Sequence, residues 1–200
     1  MRVLRADEYP RMPWRNGGGE TAEIAISPAG ATIESFDWRV SMAHIEADGP
    51  FSNFPGNDRT LMILRGNGIK LSIADGAPVD LTCDSEPFAF SGDVPARANL
   101  LDGAITDLNV MTDRARLKHT VRQLAILRRT ELTVDAALGL LVCAEGELQI
   151  EVRGGVNTPA VELMALDALL LENESDILSI VTHGSALAYL IEIREGIANR

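Results

Sequence analysis

Phe36-Asp37-Trp38-Arg39-Val40-Ser41-Met42-Ala43 decides the fold class. Apolar residues occupy every second position, and side chains along a strand point alternately to its two faces. The period predicts a strand over 36–45 with Phe36, Trp38, Val40 and Met42 on one face. Arg39 and Ser41 then stand on the other face, where polar groups on a rigid strand are candidates for ligand contact. Working outward, short strands recur before it, at 21–27 and 31–33, and after it, at 60–64, 69–73, 79–83, 88–90 and 107–111. Six more follow between 139 and 192. Gly, Asn, Asp and Pro punctuate nearly every junction. Many short strands parted by turns imply an all-β sandwich or barrel, in which closure removes exposed edges.

The composition agrees with one compact chain. Of 200 residues, 46% are hydrophobic and 24% charged, which excludes a disordered or low-complexity polypeptide. The net charge is −11, shared evenly: 9 basic and 14 acidic residues in 1–100, and 9 and 15 in 101–200. Such a surface repels phosphate backbones, so no nucleic-acid partner is expected. The one basic cluster, Arg114, Arg116, Lys118, Arg122, Arg128 and Arg129, reads most simply as a solvated connector. No apolar run spans a bilayer and the first residues lack the core of a signal peptide. A cytoplasmic protein with no membrane partner is the expectation. Cys83 and Cys143 belong to no CxxC or metal spacing and read as reduced, buried thiols.

A weak internal repeat divides the chain. Leu61–Leu71 and Leu140–Ile150 both read as an apolar strand, a glycine turn and an alternating strand. Val110-Met111-Thr112-Asp113-Arg114 has a counterpart about 80 residues on, in Leu190-Ile191-Glu192-Ile193-Arg194. Repetition at this spacing is a duplication on the scale of a domain. The predicted organisation is a first unit over 1–113, a connector over 114–129 and a second unit over 130–200.

Three segments carry candidate chemistry. Trp14-Arg15-Asn16-Gly17-Gly18-Gly19 matches neither a phosphate-binding loop nor a dinucleotide fingerprint. It is either a tight Asn-Gly turn or a ligand-facing loop, with Trp14 as a wall and Asn16 as donor and acceptor. Asp48–Arg59 holds two aromatics, two prolines and two glycines, too rich for a plain linker. Phe51 and Phe54 need shelter, and Arg59 at the head of an apolar strand could grip a carboxylate through two parallel hydrogen bonds. Asp58 would orient it; the plainer reading pairs both with strand neighbours. Arg59→Lys is then expected to weaken carboxylate binding with folding nearly intact. Asn109, an amide inside the apolar strand Leu108–Met111, needs a partner. His44, His119 and His183 stand apart with no ligand spacing, so neither a metal nor another cofactor is expected. A nucleophile elbow is absent as well.

Taken in order, Trp14–Gly19, Phe36–Ala43, Asp48–Arg59, Phe90–Asp93 and Asp107–Met111 resemble the HutD/Ves family. The resemblance implies a bicupin: two antiparallel, jelly-roll-like β-barrel units in one chain. It also implies an accessory or regulatory role in bacterial histidine utilisation. The paired histidines and glutamate of catalytic cupins are missing here. The expected site lies in the first unit and comprises Trp14, Asn16, Arg39, Ser41, Phe51, Phe54, Asp58 and Arg59, with no catalytic residue. Its ligand is a small anionic metabolite such as formylglutamate, urocanate or formate. A metal-free enzyme using Glu23, Asp58 or His44 is the alternative. Closed barrels still associate through outer sheet faces, which leaves a homodimer open.

Overall fold

The computed structural model describes residues 1–153, 160–172 and 176–196. It is all-β, and no helix among the described residues is long and apolar enough to cross a membrane. The last four residues of the expected second unit, 197–200, lie outside the described residues.

Residues 10–118, with Gly196, cluster into one compact unit, and 1–9 with 119–195 into another. In the N-terminal unit, a six-stranded antiparallel sheet has the order β2 (Arg11–Pro13), β3 (Gly19–Ser27), β4 (Trp38–Ile45), β11 (Ile105–Asp113), β6 (Asn57–Arg65), β9 (Phe88–Ser91). A four-stranded sheet has the order β5 (Gly49–Pro50), β10 (Ala96–Leu100), β7 (Ile69–Ile73), β8 (Val79–Leu81). Ile45, Leu61, Ile63 and Ile105 of the first pack with Ile69, Leu71, Leu81, Ala96 and Ala98 of the second. Each large side chain so buried contributes roughly 1.5–3 kcal/mol. The turn from β6 into β7 requires glycine: Gly68 has a φ of +104°, and a Cβ there would lie 2.2 Å from the Leu81 carbonyl oxygen.

The C-terminal unit is built on one sheet, ordered β1 (Arg2–Leu4), β16 (Ala168–Leu171), β13 (Leu138–Glu145), β17 (Asp176–Glu195), β14 (Glu147–Arg153), β15 (Val161–Met164), with β12 (Leu117–Val134) also paired to β17. Its core gathers Leu141, Leu148, Ile150, Leu163, Leu169, Leu178, Ile180 and Leu190. The internal repeat reappears as a repeated pairing scheme. In the N-terminal unit β6 pairs β9 and β11, and β7 pairs β8 and β10. In the C-terminal unit β13 pairs β16 and the second half of β17, and β14 pairs β15 and the first half of β17. The 20-residue β17 therefore does alone what β10 and β11 do separately.

The structure differs from the sequence reading at several points, among them the additional strands β2, β5 and β10. Residues 2–4 pair with β16, so the first residues cluster with the C-terminal unit. The segment read as a connector, 114–129, is mostly strand, because β12 runs from Leu117. Residues 31–33 form no strand; Ala31 N donates to the Pro28 carbonyl and Ser35 N to that of Thr32, closing successive turns.

Candidate functional site

The alternation in β4 sets the site. Trp38, Val40 and Met42 are buried on one face, and Arg39, Ser41 and Ala43 line a cavity of about 460 Å³ on the other. Strand register carries the polar face sideways. Met111, Asn109 and Asp107 of β11 stand opposite Arg39, Ser41 and Ala43, and Arg59 of β6 stands opposite Met111. Thr21 of β3 faces Ala43. The remaining walls come from Trp14–Asn16, Ile33 and the 50–54 loop.

The loop over 14–19 is fixed by its own hydrogen bonds. Trp14 N donates to the Gly19 carbonyl and Gly17 N to the Trp14 carbonyl, which closes a tight hairpin. Asn16 Oδ1 accepts from Gly18 N at 3.1 Å, and Trp14 Nε1 donates to Thr21 Oγ1 at 2.8 Å. The motif is a turn, and Trp14, Arg15 and Asn16 of it line the cavity. Gly19 lies so close to β4 that a Cβ would sit 2.2 Å from the His44 carbonyl oxygen.

Arg59 is only 4% exposed. Its guanidinium carbon lies 5.5, 5.3 and 4.9 Å from the ring centres of Phe51, Phe54 and Phe90. The electron-rich ring faces stabilise a desolvated cation. Its Nη1 donates to the Ser52 carbonyl at 3.1 Å, while its Nε, fully buried, has no protein acceptor. Burial lowers its pKa to about 10, against the favourable charge of Asp107 and with the opposing charge of Arg39. Arg39, 5% exposed, is committed instead: its Nε donates to Glu23 Oε2 at 2.9 Å.

Asp107 is 2% exposed, and its Oδ1 accepts from Ala43 N at 3.2 Å. Burial pushes its carboxyl up to about 7, with Arg59 and the Ala43 amide pulling the other way. Asn109 Oδ1 is buried without a donor. Arg59, Asn109 and Asp107 thus line the cavity with a buried unpartnered N–H, a buried unpartnered acceptor and a carboxyl pushed up to about 7.

Seven of the eight expected residues line this cavity: Trp14, Asn16, Arg39, Ser41, Phe51, Phe54 and Arg59. Asp58 does not. Neighbours on a strand point to opposite faces, and Asp58 meets Arg114 Nε at 2.5 Å on the surface, where Arg114 also reaches Asp93. Asp58 therefore does not orient Arg59; the Ser52 carbonyl holds its Nη1. Nor are Glu23, Asp58 and His44 brought together. Glu23 is bonded to Arg39, and His44 is exposed on the opposite face, 3.4 Å from Thr106 Oγ1 and from Glu46. Asp107, Thr21 and Met111 were missed. The signal was available for Asp107, since it alternates with Leu108 and Val110 as Arg39 does with Trp38 and Val40. Among the described residues, no three His, Cys, Asp or Glu side chains are grouped to hold a metal ion.

The family model HutD matches residues 6–189. The chain belongs to the HutD family. It is 35% identical over 184 residues to an uncharacterised 21.2 kDa protein in the hutC 3′ region of Pseudomonas putida, covering 92% of this chain and 93% of that one. It is 37% identical over 138 residues to protein Ves of Citrobacter koseri, covering 68% and 69%. Among solved structures, a conserved protein of unknown function from Pseudomonas aeruginosa PAO1 superposes with a TM-score of 0.88 at 34% identity, over 96% and 98% of the two chains. HutD from Pseudomonas fluorescens SBW25, solved in a formate condition, gives 0.79 at 29% identity, over 98% of each. A cupin 2 conserved barrel protein from Leptotrichia buccalis gives 0.61 at 10% identity over 96% and 100%, which shows a cupin-like fold alone.

Proposed function

We propose that this HutD-family protein is an accessory or regulatory factor of histidine utilisation, acting in the cytoplasm. Its N-terminal cavity binds a small carboxylate such as formylglutamate, urocanate or formate, and each of its two compact units is a cupin barrel. One observation carries the reading: Arg59 lines the cavity within an aromatic cage, and its buried Nε–H has no protein acceptor. A buried donor left unmade costs about 1–3 kcal/mol. A carboxylate oxygen recovers that cost, and the caged guanidinium loses little freedom on binding. The repeated pairing scheme supports the two-barrel organisation.

Titration calorimetry with formate, urocanate and N-formylglutamate tests the reading. Saturable binding of one of them, lost or weakened in Arg59→Lys, supports it. Absence of binding for all three overturns it. Asp107 favours a second reading, since a buried carboxyl titrating near neutrality suits general acid–base work. Product formation from the bound compound over hours would mark an enzyme; binding with no product marks a sensor.

A further inference from the structure

We infer that the cavity takes up its carboxylate together with one proton, which settles on Asp107. The inference rests on the carboxylate reading above and concerns the charge balance of the buried groups that line the cavity. Four ionisable side chains meet at this sheet face: Glu23 from β3, Arg39 from β4, Arg59 from β6 and Asp107 from β11. Arg15 also lines the cavity, from the 14–19 loop, but it is exposed and solvent screens its charge, so it does not compensate the buried groups. Glu23 and Arg39 neutralise each other in a direct ion pair. Asp107 has one hydrogen-bond donor, the Ala43 amide, and Arg59 is the cation left to compensate it.

With all four ionised the sum is zero. A bound carboxylate takes the Arg59 charge for itself and leaves a second buried anion with no cation. A buried charge without a partner is strongly unfavourable, so the group neutralises. A proton from solvent moves to a carboxylate oxygen of Asp107 and the sum returns to zero. The neutral acid then has an O–H directed at a site that already holds an anion, where it can donate to a ligand oxygen. Its position near neutrality makes the transfer accessible under ordinary conditions. Asp107 thus ties occupancy by an anion to pH.

The test is calorimetry with sodium formate at pH 6 and pH 8, each in two buffers of different ionisation enthalpy. Formate itself stays ionised throughout. For the parent protein, affinity should fall about tenfold from pH 6 to pH 8, with close to one proton taken up per formate at pH 8. Asp107→Asn should bind formate equally at both values, without proton uptake. His44→Gln, altered on the opposite and exposed face, should keep the parent's dependence. Equal formate affinity at both pH values with no proton uptake would overturn the proton link and leave the carboxylate reading standing. A pH dependence that survives in Asp107→Asn would overturn it too, by moving the proton elsewhere. If neither formate, urocanate nor N-formylglutamate binds at either pH, both readings fall together. Should Asp107→Asn fail to fold, the proton count of the parent decides alone.

Discussion

Replacing Arg59 with Lys keeps the charge and removes the plane. The guanidinium lies 4.9–5.5 Å from three ring centres and spends one N–H on the Ser52 carbonyl. An ammonium on a flexible stem retains part of the ring attraction but has no planar fork and no Nε–H. The loss to ligand binding is one charge-assisted hydrogen bond, about 1.5–3 kcal/mol. That corresponds to roughly ten- to more than a hundred-fold in affinity. Because Arg59 is buried among three rings, the cost does not fall on binding alone, contrary to the expectation from sequence that folding is nearly unaffected. Lost stacking on three rings should lower stability by about 1–2 kcal/mol. For a chain of this size that is a fall in Tm of roughly 2–8 °C. Calorimetry with formate and a thermal melt monitored by circular dichroism read the two quantities separately. Parent-like formate affinity in a folded Arg59→Lys protein would refute the clamp. A collapse of the fold would show that the cage serves structure first.

Three other outcomes are expected. Asp107 has a folded-state pKa of about 7 against an ordinary value of 3.8. The folded protein therefore binds the extra proton, and the stability this adds is complete below about pH 4 and lost as pH rises through 7. Asp107→Asn, which cannot ionise, should melt like the parent near pH 4 and be more stable at pH 8. The gain is on the order of 4 kcal/mol, from about three pH units at ~1.4 kcal/mol each; equal melts at pH 8 would contradict the burial argument. Gly19→Ala forces a Cβ to 2.2 Å from backbone oxygen, so it should cost more than about 2 kcal/mol in chemical denaturation and weaken formate binding by shifting Trp14. Asp58→Asn breaks a half-exposed surface pair, so stability should change by less than about 1 kcal/mol and formate affinity should be unchanged.

What could be read in advance follows from the range of the physical signal. Strand alternation is local, so Arg39 and Ser41 were placed on the cavity face from eight residues of sequence. The same rule, applied to Asp58-Arg59, separates the two; adjacency in sequence suggested a partnership that adjacency on a strand forbids. Alternation with Leu108 and Val110 puts Asp107 on the cavity face, but the depth of its burial is not a local signal. Its depth comes from β4 and β6 closing on either side of β11. The placement of residues 2–4 beside β16 depends on a pairing across more than 160 residues, which no local pattern carries. The basic stretch 114–129 was read from its charge. Along β12, partly buried Leu117, His119, Val121 and Gln123 alternate with exposed neighbours, and that period of two outweighs the charge.

The chain contains two tryptophans, and they occupy opposite situations. Trp38 is buried on the face of β4 turned away from the cavity. Trp14 forms a cavity wall, with its indole N–H tied to Thr21. Indole emission responds to the polarity and charge around the ring. Trp14 is therefore a built-in optical probe of cavity occupancy, and Trp38 supplies a nearly constant background. Intrinsic fluorescence can follow ligand entry in the unlabelled protein, and Trp14→Phe should leave only the background.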